Sequence, residues 1–242
     1  MAKNILIDVT RIYNLLLKGK SLTGVDRVTI AYIKNFSQTS LAFLFLRNKA
    51  LVLDKPQSSK LFDWILHPHK PSKLFNITFL HRVKNFYIKI PENAVLFNVS
   101  HANLEKTSYW SVTKKLNLNL VILVHDLIPI THHEHCTAQA YQRHISRIFN
   151  ILNNAAGIIC NSGSTFNELN NFASAHNLPM PPTLAALLGS SIAKDDFDCI
   201  RPVNLPYFVI LGTIESRKNH FFILKIWRKI IERYNTKAPR LI

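Results

Sequence analysis

The sequence predicts an α/β fold in which helices cover both faces of a parallel, doubly wound β-sheet. Short apolar runs of strand character alternate with amphipathic helical segments along most of the 242 residues. Residues 120–124 are apolar throughout, which is typical of a strand buried on both faces. Strands that alternate with helices in this way favour a parallel sheet over an antiparallel one.

The predicted elements follow the apolar pattern from the N-terminus onward. The first strand, at residues 4–9, leads through a loop that contains Gly19 and Gly24 into a helix at residues 26–36. Further strands are predicted at residues 41–46, 50–53, 94–99, 120–124, 156–160 and 183–188, and further helices at residues 137–153 and 162–175. For the last helix, the spacing of Thr165 and Glu168 fits a capping box, with Ser162 as the rival N-cap.

A second unit begins near residue 207. Residues 207–212 form an apolar strand-like run, a polar loop follows at residues 213–219, and the next segment has the periodicity of a helix. One face of this helix carries Ile223, Ile226, Trp227, Ile230, Ile231 and Tyr234. Residues 193–206 are polar and contain proline, so they are predicted to link a domain at residues 1–192 to the start of a second domain at residues 207–242.

The chain stops soon after this helix. Residues 239–242 stand where the next strand of an α/β unit is expected, so we expect the second domain to be truncated early. A single strand pair and one helix cannot bury a core. Ile223, Ile226, Trp227 and Ile230 are therefore expected to lie exposed or to pack opportunistically.

The composition restricts the class of protein and its partners. Hydrophobic residues make up 48% of the chain, which favours a folded protein with a sizeable core. The net charge of +16 favours anionic partners such as nucleotide sugars, anionic lipid surfaces or nucleic acid. Three cysteines without paired spacing and no signal-peptide pattern predict a cytoplasmic protein, soluble or peripheral at the inner face of the membrane.

Candidate functional residues lie where the predicted strands end, because ligands bind outside the carboxyl ends of the strands in open parallel sheets. Four such ends carry a glycine turn, a histidine beside an aspartate, hydroxyl and amide groups at a helix start, and a basic pair. These residues are Gly24, His125, Asp126, Asn161, Ser162, Arg217 and Lys218. Their convergence indicates a site for a phosphorylated polyol.

Four segments carry a family resemblance: LTGVDRV at residues 22–28, VHDLIP at 124–129, ICNSGST at 159–165 and LGTIESRKNH at 211–220. In this order and spacing they resemble the glycosyltransferase family 4 proteins of the GT-B fold, especially bacterial mannosyltransferase-like members. The resemblance covers nearly the whole chain, except residues 54–92, which match no motif. It implies two Rossmann-like domains, the first complete and the second represented here by its first strand and helix.

The resemblance implies a retaining glycosyltransferase without an obligatory metal or other cofactor. Such enzymes move a sugar from a nucleotide diphosphate donor to a glycan or lipid-linked acceptor, here in surface polysaccharide synthesis, with mannose among the candidate hexoses. It implies that Gly24 places its N–H near the donor phosphate and that His125, beside Asp126, contacts the transferred sugar. Asn161 and Ser162 are expected to bind the donor, and Lys218, helped by Arg217, to neutralise the leaving diphosphate.

The sequence also departs from the family pattern. Many members have an arginine directly after the glycine of the second-domain strand, whereas Thr213 follows Gly212 here. The later residues that read the nucleotide base and ribose, including a glutamate-bearing motif, do not occur in this sequence. We therefore expect little or no turnover from this chain alone.

Structural interpretations of the same residues stay open. His125 and Asp126 can satisfy local backbone at a strand end, and Asn161 with Ser162 is more typical of a helix cap than of a ligand contact. The histidines and cysteine of residues 131–136 suit zinc by type, but their bunched spacing favours an ordinary surface loop.

One segment suggests two other functions. Residues 55–89 are basic and contain Phe62, Trp64, Phe75, Phe79, Phe86 and Tyr87. Cations mixed with aromatic residues suit an anionic membrane face, so the alternative is a non-catalytic membrane- or acceptor-binding protein. They also suit nucleic acid, which is less favoured because no nucleic-acid-binding motif is present. An insertion with core aromatics and solvated lysines explains the pattern as well.

Overall fold

The computed structural model describes residues 5–68, 90, 92–189 and 203–242. The chain divides into two compact units, each considered by itself below. Unit 1 comprises residues 1–131 and 138–188, and unit 2 comprises residues 132–137 and 189–242.

Unit 1 is built on a seven-stranded sheet. Its strands are β1 (Ile5–Asp8), β2 (Ser40–Leu46), β3 (Lys49–Val52), β4 (Val95–Asn98), β5 (Asn119–Val124), β6 (Gly157–Cys160) and β7 (Thr183–Ala185). Its helices are α1 (Thr10–Leu17), α2 (Gly24–Phe36), α3 (Lys55–Leu66), α4 (Thr107–Lys115), α5 (Ile128–Thr131), α6 (Ala138–Asn154) and α7 (Gly163–Ala175). The strand order is β3-β2-β1-β4-β5-β6-β7. The predicted α/β class is confirmed, and the order is compatible with a Rossmann-like domain.

The prediction of a wholly parallel sheet is wrong at one edge. β3 runs antiparallel to β2, while every other neighbouring pair in this sheet is parallel. Arg47 and Asn48 join the two strands, and both have positive φ angles, 50° and 61°. A two-residue loop with positive φ at both positions makes a tight hairpin, which forces its strands to be antiparallel.

The sheet is buried on both faces. Successive side chains of a strand point to opposite faces, and accordingly Leu6 belongs to one core cluster and Ile7 to the other. The first cluster includes Tyr109 of α4 and Ile148 of α6, whereas the second includes Ile12 of α1. Helices therefore pack on both faces, as the doubly wound arrangement predicts.

The segment that follows β1 is helical, although the sequence predicted a loop there. α1 buries Ile12 and Tyr13, and the backbone N–H of its first residue, Thr10, donates to Asp8 Oδ1 at 2.9 Å. Threonine, isoleucine and tyrosine in its first half are only moderate helix formers, whereas Leu15, Leu16 and Leu17 are strong ones, so local propensity alone does not decide. Burial of one helical face against the sheet decides the conformation instead.

The basic segment at residues 55–89 is described only in its first part, where it forms α3. Asp54 caps this helix by accepting a hydrogen bond from Gln57 N at 2.8 Å. Phe62 is buried and Trp64 packs against the same core cluster. For these two aromatic residues the interpretation as core is confirmed. Phe75, Phe79, Phe86 and Tyr87 lie outside the described residues.

A hydrogen bond in the first turn of α7 decides between its two predicted N-caps. Ser162 Oγ accepts a hydrogen bond from Thr165 N at 3.1 Å, so Ser162 is the N-cap. Thr165 is 6% exposed and lies within the helix, so the capping box of Thr165 and Glu168 was a wrong prediction.

Unit 2 has a two-stranded parallel sheet of β8 (Tyr207–Phe208) and β9 (Arg240–Leu241), a 3₁₀ turn at Ser216–Lys218 and one long helix, α8 (His220–Tyr234). β9 confirms that a strand starts where the sequence predicted the next one. β8 is shorter than the predicted run of residues 207–212, and Gly212 has a φ of 149°, a conformation that glycine permits and other residues rarely adopt.

The apolar face of α8 was expected to lie exposed or to pack opportunistically, and one of its residues packs. Trp227 is only 8% exposed, because its ring packs on the Phe208 ring, with 5.3 Å between the ring centroids. Its Nε1 also donates a hydrogen bond to Pro239 O at 3.1 Å. Ile223, Ile226 and Ile230 are half-buried. The strongly exposed residues are Phe221, Phe222 and Leu224 on the same helix.

The predicted linker and the prediction of no membrane-spanning segment can be compared with the structure only in part. Most of the predicted linker at residues 193–206 lies outside the described residues, so the domain boundaries stay a prediction. Among the residues described, no helix has the length and apolar character needed to span a bilayer.

Candidate functional site

A crevice forms where the chain reverses its direction of travel across the sheet of unit 1. From β1 the chain passes to β2 on one side, and it later returns to β4 on the other side. The loops that leave the carboxyl ends of β1 and β4 therefore diverge. Such a topological switch point is the place where open α/β sheets bind ligands.

A cleft of about 320 Å³ lies at this switch point. Its lining includes Arg11 of α1, five residues from the loop that follows β4, and Arg147 of α6. The four loop residues that matter here are Ser100, His101, Asn103 and Glu105. The volume is at the lower end of the range for small-molecule sites, which suits a ligand of about one sugar ring.

A buried hydrogen-bond network supports the loop below the cleft. Asp8, at the end of β1, is fully buried and accepts hydrogen bonds from Tyr109 Oη at 2.7 Å and Asn98 Nδ2 at 3.2 Å. Asn98 also donates to Ala102 O at 3.0 Å and accepts from Ser100 N. Burial raises the pKa of Asp8, and hydrogen bonds from Thr10 and Tyr109 offset part of that rise. The network fixes the loop to β1.

An ion pair holds the wall of the cleft on the side of α2. Arg11 Nε donates to Asp26 Oδ1 at 2.8 Å, and the Asp26 side chain is fully buried. Asp26 also accepts from Thr23 N at 2.8 Å, which caps the start of α2. Burial raises the pKa of Asp26, but hydrogen bonds from Thr23 and Arg11 outweigh it and hold the pKa below its ordinary value.

Three histidines meet beside the cleft. The His101 ring lies 5.0 Å from the His125 ring and 6.3 Å from the His144 ring, measured between centroids. His101 Nε2 accepts a hydrogen bond from His125 N at 3.3 Å. Burial lowers the pKa of all three histidines, and for His101 the nearby His125 and Arg147 lower it further. These rings are neutral near pH 7.

The tautomer of His125 follows from its surroundings. Its Nε2 lies 2.8 Å from Val99 O, and a neutral ring makes this contact only by donating Nε2–H to the carbonyl oxygen. The opposite nitrogen, Nδ1, then carries a lone pair and is an acceptor. The sequence predicted a functional role for His125, and the structure places it half-buried within this group.

The acid stability of the protein should depend on this histidine cluster. Unfolded histidines bind a proton near their ordinary pKa of 6.5, whereas the lowered pKa values keep the folded ones neutral until lower pH. The unfolded state therefore binds more protons below pH 6.5, and the free energy of unfolding falls as the pH falls. Denaturant unfolding between pH 7 and pH 5 should show this decline.

One substitution distinguishes the contribution of the histidine cluster to the pH dependence of stability from that of other titrating groups. His101 has a φ of 59°, a conformation that asparagine tolerates, so His101→Asn should keep the loop and reduce the decline in stability. His67→Asn is the control, because His67 is exposed. An unchanged pH dependence in His101→Asn contradicts the assignment.

The other predicted residues of unit 1 have structural partners. Asp126 Oδ1 accepts from Ile128 N at 3.2 Å, and Asp126 O lies 3.2 Å from His144 Nε2. Asn161 Oδ1 accepts from Thr165 Oγ1 at 3.0 Å. Ser162 is the cap of α7, which bears out the preference for a cap at this position. Whether any of them also contacts a ligand stays a prediction.

Gly24 is the first residue of α2, and its φ is not positive. A Cβ placed there would have no heavy atom within 4 Å. Neither the local backbone nor packing therefore requires a glycine at this position. The open space leaves the Gly24 backbone accessible to a ligand.

Arg217 and Lys218 lie in the exposed 3₁₀ turn of unit 2. Arg217 Nε pairs with Glu215 Oε2 at 2.8 Å, and Lys218 Nζ donates to Thr213 Oγ1 at 3.2 Å. A hydrogen bond from Thr213 and the charge of Arg217 lower the pKa of Glu215. The two cations are available at the surface, and their role stays a prediction.

No group of three or more histidine, cysteine, aspartate or glutamate side chains is arranged to hold a metal ion in the part of the chain that the structure describes. In the loop considered for zinc, two histidines lie near a neighbouring glutamate, and His135 Nδ1 also lies 3.2 Å from Ser216 Oγ. His132 Nδ1 lies 3.4 Å from Glu134 Oε1, and His135 Nε2 lies 3.8 Å from the same oxygen.

The sequence interpretation missed most of the residues that line the cleft. Ser100 and His101 directly follow the predicted strand at residues 94–99, so the rule applied to the other strand ends could have found them. Arg11 was missed because its helix was taken for a loop. Arg147 lies inside α6, and only the packing of that helix against the loop after β4 brings it to the cleft.

Comparison of the chain with protein-family models, curated proteins and solved structures finds no match. The fold and the geometry of the cleft therefore carry the functional argument.

Proposed function

We propose that this chain is part of a retaining glycosyltransferase of family 4 and GT-B type. It transfers a hexosyl group, with mannose among the candidates, from a nucleotide diphosphate sugar to a glycan or lipid-linked acceptor in surface polysaccharide synthesis. The observation that carries the proposal is the switch-point cleft, which is large enough for one sugar ring and lies beside a histidine of defined tautomer. The resemblance of the four sequence segments supports the same function.

His125 has a specific part in this proposal. Its Nε2–H is used by Val99 O, so Nδ1 accepts a hydrogen bond from a hydroxyl group of the transferred sugar. Burial lowers the pKa of His125, which keeps Nδ1 unprotonated at neutral pH. A neutral acceptor orients the sugar without adding a positive charge next to the anomeric carbon, where positive charge develops during transfer.

Arg217 and Lys218 act on the leaving group in this proposal. The bond between the anomeric carbon and the diphosphate oxygen breaks, and the oxygen leaves with the electron pair as a nucleoside diphosphate. An acceptor hydroxyl gives its proton to the leaving diphosphate oxygen and bonds to the anomeric carbon on the same face. Cations near the diphosphate stabilise the charge that grows on it in the transition state.

Gly24 offers a test of the donor-binding part of the proposal. Gly24→Ala should leave the free energy of unfolding unchanged or raise it by about 0.4–1 kcal/mol, because the backbone is compatible with alanine and the unfolded chain loses freedom. The same methyl group should lower the affinity for the nucleotide sugar, because it blocks the approach of a phosphate to the backbone. Chemical denaturation and a titration with the donor measure the two effects.

Gly189→Ala is the control for this variant, since Gly189 also has open space at its Cβ position and no proposed role. An affinity that falls equally in both variants, or in neither, contradicts the role of Gly24.

The function itself is tested by the release of nucleoside diphosphate from a panel of UDP-, GDP- and ADP-hexoses. We expect slow release with one donor, reduced in Lys218→Ala and retained in Arg228→Ala. Arg228 is a suitable control because it is exposed and pairs with Glu232 on α8. Because little or no turnover is expected from this chain alone, donor binding is measured beside release, and a chain that neither binds nor turns over any donor in the panel contradicts the proposal.

No specific observation on the described residues favours the membrane-binding or the nucleic-acid-binding alternative. In the described part of the basic segment, Phe62 is buried and Trp64 packs against the core, so neither ring is presented on an open surface. The net charge of +16 suits a nucleotide sugar as well as any other anion.

A further inference from the structure

The two edges of the seven-stranded sheet differ in charge. At one edge, β3 begins with the exposed Lys49 and is preceded by the exposed Arg47. At the other edge, β7 lies within residues 177–193, which contain no charged side chain. Charged side chains on an edge strand keep it from pairing with a strand of another molecule. The segment that contains β7 gives it no such protection.

β7 also presents unpaired backbone groups. On the side of β6, the backbone of Pro182 and of Ala186 takes part in hydrogen bonds of 2.9 and 2.8 Å. Neighbouring residues of a strand direct their backbone N–H and C=O groups to opposite sides, so Thr183 and Ala185 direct theirs away from β6. Among the described residues, these groups have no backbone partner. An open row of this kind is a template for a further strand.

Exposed leucines flank these backbone groups. Leu184 is 64% exposed, Leu187 is 84% exposed, and Leu188 is exposed as well. Single exposed leucines are ordinary on a protein surface, but three of them within five residues form an apolar strip. We call residues 183–188 the β7 edge. A β-strand satisfies both its apolar side chains and its backbone groups, whereas a lipid surface leaves the backbone groups unpaired.

The charge of the chain favours a second copy as the strand that pairs here. The net charge is +16, so two copies repel each other where their basic surfaces meet. At the β7 edge, two copies meet without bringing charged side chains of residues 177–193 together. An acidic protein is instead attracted to the basic surfaces, and it gains no ion pair from this segment.

We propose that two copies of this chain associate through the β7 edge, by antiparallel strand pairing about a twofold axis at Ala185. Thr183 of one copy then lies opposite Leu187 of the other. Leu184 lies opposite Ala186, so a large side chain faces a small one on each face of the sheet. The pairing uses the β7 edge of both copies and therefore closes at the dimer. This inference is independent of the proposed glycosyl transfer.

Sedimentation velocity of the full chain between about 1 μM and 1 mM, the range of weak interfaces, measures the association. We expect a reversible monomer–dimer equilibrium. Its dissociation constant should fall about threefold or more as salt is added, because salt screens the repulsion between two basic molecules. Hydrogen exchange of the Thr183 and Ala185 amides should slow as the dimer forms. A chain that stays monomeric, or that forms open-ended assemblies, overturns the proposal.

Leu187→Lys tests the contact, with Leu17→Lys as its matched control. Both leucines are exposed, and Leu17 ends α1, which packs against β2 near the opposite edge of the sheet. Each variant adds one positive charge, so the general repulsion between copies rises equally. Only Leu187→Lys should weaken the dimer, about tenfold or more, because it buries a charge at the strand pair. Equal weakening in both variants contradicts the assignment of the surface.

Ala185→Pro distinguishes strand pairing from apolar contact alone. Proline lacks the N–H that Ala185 directs toward the second copy, and proline is tolerated on edge strands where that N–H faces away from the sheet. The variant should lose the dimer while its melting temperature stays close to that of the unsubstituted chain. A folded Ala185→Pro protein that dimerises as well as the original shows adhesion of leucines without strand pairing, and it overturns the proposal.

Discussion

Replacement of His125 by glutamine should lower sugar-dependent release of nucleoside diphosphate about a hundredfold, as expected when a positioned polar group is lost from the reaction centre. Glutamine can still donate to Val99 O through its terminal nitrogen, so the local fold is kept. It cannot reproduce the Nδ1 lone pair, which the proposal assigns to a hydroxyl of the transferred sugar. His125→Ala removes both interactions and should lower the rate at least as much.

His67→Ala is the control for these variants, because His67 is exposed and its Nδ1 lies 3.1 Å from Asp63 Oδ1 on the preceding turn. Its rate should equal that of the unsubstituted chain. Circular dichroism and chemical denaturation identify any variant whose rate falls through unfolding. A folded His125→Gln protein that retains more than about half of the rate contradicts the role given to this ring.

The second large effect concerns stability and the network below the cleft. Tyr109→Phe removes the hydroxyl that donates to the buried Asp8 carboxylate at 2.7 Å and should lower the free energy of unfolding by about 2 kcal/mol. Tyr109→Ala also empties the space between Phe43, Phe45 and Trp110, which contact the ring edge to face. It should cost about 4 kcal/mol.

Tyr234→Phe is the control for the hydroxyl, since Tyr234 is 51% exposed. Its effect should stay within about 0.5 kcal/mol. Equal stability of Tyr109→Phe and the unsubstituted chain means that the Asp8–Tyr109 hydrogen bond contributes nothing net. The network could then not be what fixes the loop after β4.

Strongly periodic segments were predicted well because burial of their apolar residues dominates their conformation. Residues 120–124 of β5 are apolar throughout and pack between two helical layers, and α6 carries apolar residues at helical spacing. The position of β9 followed from the alternation of strands and helices. In these segments the burial pattern and the local conformation point to the same element.

The errors arose where distant contacts decide the structure. α1 contains moderate helix formers, and the sheet surface that stabilises it is not visible in the local sequence. The hairpin of β2 and β3 depends on positive φ at Arg47, a residue that rarely adopts it. Arg147 reaches the cleft only through the packing of α6. At the start of α7 the local pattern offered two caps, and the hydrogen bond from Thr165 N to Ser162 Oγ decides for the rival, Ser162.

The central claim is that the sugar being transferred lies against His125, beside the switch-point cleft. The most direct measurement is the ring-nitrogen NMR spectrum of protein labelled with ¹⁵N-histidine, followed during titration with the nucleotide sugar that supports release. The account predicts that the His125 Nδ1 signal shifts toward that of a hydrogen-bonded acceptor while the His67 signals stay in place. A titration that saturates without moving the His125 signals contradicts the account.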